Sequence, residues 1–132
     1  MIKKSNGFTV IELLFIVLLL GAASVLFFLQ KNSIETSAQD NTKKTAINSM
    51  YYSLEEVFYP TNKYYPQTIS SDNLKSVDPA LFTDPDGIKL GTAGSAYTYT
   101  PTNCAENKCK SYTLKSTLEN ESDYTKTNKN NK

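Results

Sequence analysis

The chain has 132 residues and a net charge of +1, with 14 lysines against 13 carboxylates and neither arginine nor histidine. Arginine is the preferred bidentate reader of guanine and phosphate, so its absence argues against sequence-specific nucleic-acid binding. Histidine is the commonest general base and metal ligand, and two cysteines are too few for a structural zinc site, so neither an enzyme nor a metal or other cofactor is expected.

The first element is apolar. From Leu13 to Leu29 no residue is charged, and from Phe8 the run is broken only by Thr9 and Glu12. A helix over residues 8–30 is long enough to cross a bilayer. Lys3 and Lys4 precede it and Lys31 follows, which predicts a cytoplasmic N-terminus and an external remainder. A cleaved secretory signal is the plain competitor, with Gly21-Ala22-Ala23-Ser24 as its small-residue cut site. Such a signal would lack Glu12 and would not continue apolar through Leu29. Glu12 needs an explanation, because a carboxylate at the centre of a membrane helix costs roughly 2.5–3.5 kcal/mol, and less near the interface.

Residues 31–59 are more polar but keep a helical beat at Ile34, Ala38, Ile47, Met50, Tyr51, Leu54, Val57 and Phe58. Neither proline nor glycine occurs between Ala22 and Tyr59, so one helix running up to Pro60 is predicted, some 50 residues and about 75 Å long. The Ser/Thr/Asn/Asp-rich stretch 32–45 is its weakest part and a candidate break. The stripe from Ile47 to Phe58 is predicted to bury against a sheet.

Residues 60–119 turn to loops and strands. Leu74, Val77, Leu81 and Phe82 suit a short helical turn, and Asp84-Pro85-Asp86-Gly87 a tight turn. The alternating, Tyr/Thr-rich segments 95–100 and 110–119 predict antiparallel strands. Between them Cys104 and Cys109 enclose four residues. Outside a membrane such a pair is most simply a disulfide, with free thiols and redox or metal chemistry as alternatives. Residues 120–132, polar and ending in a Lys/Asn run, are expected to be a flexible tail. The predicted fold is therefore α+β: a long N-terminal helix, half hydrophobic and half amphipathic, packed on a small antiparallel sheet head.

The segment KKSNGFTVIELLFIVLLLG resembles the leader and first helix of type IV prepilins and the related pseudopilins. It joins a short basic leader, a glycine before a phenylalanine, a glutamate four positions on, and an unbroken apolar helix. The resemblance is strong over residues 5–29 and is one of architecture beyond. It implies that residues 1–7 are a leader removed by a prepilin peptidase between Gly7 and Phe8, with N-methylation of Phe8. Losing Lys3 and Lys4 would take the 14 lysines to 12 against 13 carboxylates.

Cleavage would create an α-amine one turn before Glu12. In low dielectric that pair offsets the desolvation of both charges, within one subunit or between neighbours. Snorkelling or capping near the positive helix end is the plain alternative for Glu12, but the resemblance of the whole leader implies that Glu12 and Phe8 serve assembly. The family further implies a homo-oligomeric helical filament, built by an assembly platform and ATPase from subunits first held in the cytoplasmic membrane and later displayed on the cell surface. One departure is that many pilins carry a proline in the apolar segment, and residues 8–29 have none.

Three other features have ordinary readings first. Asp78, Asp84 and Asp86 offer oxygen ligands for calcium, but a turn explains them, without the regular alternation of a full calcium loop. The tyrosine clusters Tyr51-Tyr52, Tyr59 and Tyr64-Tyr65 suit core and subunit packing. Asn120-Glu121-Ser122 fits an N-glycosylation acceptor, a common triplet. The sequence therefore predicts a structural pilus subunit, with a secretion or DNA-uptake pseudopilin, or a monomeric membrane-anchored binding protein, as alternatives.

Overall fold

In the computed structural model, which describes residues 7–129, the chain divides into two compact units, residues 1–35 and 36–132. Helix α1 (Val10–Tyr52) contributes to both. In the first unit it is apolar on all sides, and its large side chains from Val10 to Leu29 are 39 to 78% exposed. An all-round apolar helix is one suited to lipid or to the interior of an assembly.

The second unit is α+β, as the sequence predicts. Past Tyr52 the helix widens into a π-helical turn (Ser53–Phe58) and closes with α2 (Tyr59–Asn62). Strand β1 (Tyr65–Pro66), a 3₁₀ turn (Pro79–Phe82), β2 (Tyr97–Ala105), β3 (Lys108–Ser116) and β4 (Tyr124–Thr127) follow. All pairings are antiparallel, with β3 central. One of its edges pairs with β2, and the other is shared by β1 at Cys109 and Lys108 and by β4 from Thr113 to Ser116. The core forms where Ala46, Ile47, Met50 and Leu54 meet Tyr65, Tyr97, Tyr112 and Leu114, all buried. Leu74, Val77 and Phe82 close it from the connecting loop, where Asp78 caps the 3₁₀ turn by accepting from the Ala80 amide at 2.9 Å.

The structure corrects several boundaries. The helix continues past the predicted stop at residue 59 to Asn62, with Pro60 inside it. The π turn makes this feasible: Tyr59 N–H reaches back five residues to the Leu54 carbonyl, and Pro60 sits at the start of the next turn, where a missing N–H matters least. Thr61 Oγ1 and Asn62 Nδ2 then cap the Val57 and Phe58 carbonyls. The apolar stripe from Ile47 to Phe58 is core only in part: Ile47, Met50 and Leu54 are buried and Tyr51 and Phe58 half-buried, whereas Val57 is exposed. Stretch 32–45 does not break. Thr42 and Thr45 return their hydroxyls to the carbonyls four residues back, and Asp40 and Lys43 face inward.

The expectation of a flexible tail over residues 120–132 also fails for its described part. Each helical turn meets the next stretch of the C-terminal segment. Asp40 accepts from the Glu119 and Asn120 amides at 2.9 Å each, and Lys43 faces Glu119. Lys44 pairs with Glu121 at 2.7 Å, and Asn48 accepts from the Tyr124 hydroxyl at 2.9 Å. Lys126 lies over the Tyr51 ring, and Lys129 pairs with Glu56. Polar composition marks a segment without a core of its own. Here the segment borrows one, by adding a strand to β3 and a polar seam to the helix.

Candidate functional site

The N-terminal segment has a defined geometry from Gly7 onward. Phe8 is 73% exposed, and Thr9 opens the helix, its carbonyl accepting from the Glu12 and Leu13 amides at 3.1 Å. Glu12 lies in the first turn of α1, where the exposed N–H groups and the helix dipole favour a carboxylate. Among the described residues no lysine comes within ion-pair distance of it. The structure therefore sets Gly7, Phe8 and Glu12 together at the head of the apolar helix. Residues 1–6, which carry Lys3 and Lys4 of the expected leader, lie outside the described residues. One helix among the described residues is long and apolar enough to cross a membrane.

Cys104 and Cys109 are disulfide-bonded, with Cα atoms 3.9 Å apart. They face each other across β2 and β3, one step from a two-residue turn. Glu106 and Asn107 both take left-handed conformations (φ 51° and 65°), the pattern of the tight turns that match strand twist. The strands run to the turn itself, so the predicted cysteine loop is the end of a hairpin that the bond holds shut.

The head contains a site that sequence reasoning missed. Glu55, in the π turn and buried, accepts from the Tyr112 hydroxyl at 2.8 Å and from the Tyr65 hydroxyl at 3.1 and 3.2 Å. Tyr65 stacks on Tyr59 at 4.8 Å and meets Tyr112 edge-on at 4.7 Å. Tyr99 lies 5.6 Å beyond and donates to the Pro66 carbonyl at 2.6 Å. Burial, with the Glu55 carboxylate beside them, holds the Tyr65 and Tyr112 phenols well above their usual pKa, and burial alone does so for Tyr99. Phenols that stay neutral and donate to a buried carboxylate form an anchor between helix and sheet.

Asp84 closes the predicted turn. Its Oδ1 accepts from the Asp86 and Ile88 amides at 3.1 and 2.8 Å, and its Oδ2 accepts from the Ala96 amide at 2.8 Å. Gly87 takes φ 83°, the left-handed conformation that favours glycine. Asp84 is thus engaged by backbone N–H groups, and Asp78 by its own cap. Among the described residues no group of three or more His, Cys, Asp or Glu side chains is placed to hold a metal ion.

No family model matches the chain, and neither a curated protein nor a solved structure matches it.

The large apolar surface lies on a helix headed by one carboxylate, and the buried carboxylates of the head are each bound to hydroxyl or amide donors. Asp40 had a signal in the sequence: it lies seven residues before Ile47, on the same helical face, so its burial follows from the period. Glu55 had none, because the π turn shifts the register that would place it.

Proposed function

We propose that the protein is a structural subunit of a type IV pilus-type filament, cut between Gly7 and Phe8 by a prepilin peptidase, methylated at Phe8, and assembled through its N-terminal helix. The observation that carries this reading is the conjunction at the start of α1. A helix apolar on every side begins just after Phe8, and its first turn holds the acidic residue Glu12. In a solitary anchor that carboxylate does no more than complement the helix N-terminus, whereas a subunit that gains an α-amine at Phe8 has an ionic partner for it in itself or in its neighbour. The disulfide supports a head outside the cytoplasm, since such bonds persist in oxidising compartments.

In this reading the subunit waits in the cytoplasmic membrane, N-terminus inside and head outside. A platform and its ATPase then extract it into a homo-oligomer displayed at the cell surface. Apolar burial between stacked helices holds that filament together. Intact mass of the chain isolated from its own cells tests the proposal. The expected mass begins at Phe8 and carries one added methyl group; a chain beginning at Met1 would overturn it in favour of a monomeric anchor. Electron microscopy of surface fibres then separates a pilus from a short secretion or DNA-uptake pseudopilus.

A further inference from the structure

A cleft of about 510 Å³ lies in the head, lined by residues 67–69, 90–95 and 97–99. Its volume falls within the range of small-molecule sites. Three properties distinguish it. The chain is 20% charged, yet no charged side chain lines this cleft. Gln67, Thr68, Thr92 and Thr98 line it, all four are exposed, and their side chains make no hydrogen bond to any other described residue. Tyr97, also in the lining, is 2% exposed, and its hydroxyl is the buried side-chain polar atom among the described residues that lacks a partner.

An orphaned buried hydroxyl is costly, and native proteins usually satisfy it with protein, water or ligand. Residues 91–94 of the lining are exposed, and Gly91 and Gly94 at their ends take φ 84° and 86°. Those glycines permit backbone shifts that side chains would oppose.

We infer that this cleft is a binding site for a neutral, polyhydroxylated ligand, a saccharide of one or two rings. Uncharged amide and hydroxyl groups suit sugar hydroxyls, which both donate and accept, and they bring no positive charge to a phosphate or carboxylate. The half-buried Tyr99 ring supplies an apolar face, its own hydroxyl being already bound to Pro66. The Tyr97 hydroxyl donates to a ligand oxygen admitted as residues 91–94 move. The site stands apart from the filament reading, because none of its residues belongs to the N-terminal helix.

The test uses the full, isotope-labelled chain in dodecylphosphocholine, a detergent without a sugar headgroup, titrated with N-acetylglucosamine and with cellobiose and followed by amide chemical shifts. Saturable shifts confined to residues 67–69, 90–95 and 97–99 are expected. Thr98→Trp, which fills the cleft from an exposed strand position, should abolish them. Tyr97→Phe should weaken binding roughly fivefold while raising the Tm of the free protein, because it removes an unpaired hydroxyl along with a ligand contact. The proposal is overturned if neither sugar gives saturable shifts, if the shifts map elsewhere, or if both variants bind like the parent. Unchanged affinity in Tyr97→Phe alone removes the assigned donor and overturns it equally.

Discussion

Glu55 joins the helix to the sheet through two phenols, and the energetics of the head turn on keeping those phenols neutral. Tyr65, Tyr99 and Tyr112 are held above their usual pKa, and Tyr97 is pushed up to about 12 by burial and by the nearby Asp84 carboxylate. A group whose folded pKa is raised contributes stability that is complete below its unfolded value, here 10.0, and is lost as pH rises through the folded value. The head is therefore expected to lose stability above about pH 10. Absorbance titration should show these four tyrosines ionising together with the loss of native circular dichroism. Ionisation of all nine tyrosines as a single class before unfolding would contradict the anchor.

At the scale of elements, the C-terminal segment and the polar half of α1 stabilise each other. Strand β4 adds only four residues, and much of its hold comes from the seam that starts at Asp40. The amides of Glu119 and then Asn120 keep the Asp40 carboxyl below its ordinary range, with Lys43 assisting. Its contribution is thus full above the unfolded value of 3.8 and is lost as pH falls through the lower folded one. Asp40→Ala should speed hydrogen exchange at the β4 amides by roughly tenfold near neutral pH, as local opening becomes easier. The gap between variant and parent should narrow in acid. Equal exchange at neutral pH would show that β4 is held by its strand pairing alone.

For the whole molecule, two units carry two different demands. The head meets its own, with a core drawn from helix, sheet and loop and a hairpin closed by Cys104 and Cys109. The N-terminal unit does not, since its large apolar side chains from Val10 to Leu29 are exposed among the described residues. An exposed apolar surface of that size is one suited to lipid or to other copies of the helix. If assembly is the function, Glu12→Ala should leave the folding of the head and its thermal stability unchanged while sharply reducing filament yield in cells. Filaments formed at the normal rate and amount by Glu12→Ala would refute the proposed role of the carboxylate.

The sequence by itself determined the membrane-length helix, the α+β class, the Asp84 turn and the pairing of the cysteines. These are local or compositional: apolar length, alternation, turn residues and a short spacing act over neighbours in the chain. It was silent where partners lie far apart. Nothing near Asp40 announces the amides of Glu119 and Asn120, and nothing near Glu55 announces Tyr112, 57 residues away. The polar tail became a strand because β3 had an unpaired edge to offer, and the helix passed Pro60 because a π turn had already changed its register. Tertiary structure decided these points because hydrogen-bond satisfaction in a core is a property of the folded whole, whereas the periodicity of a helix is a property of the chain.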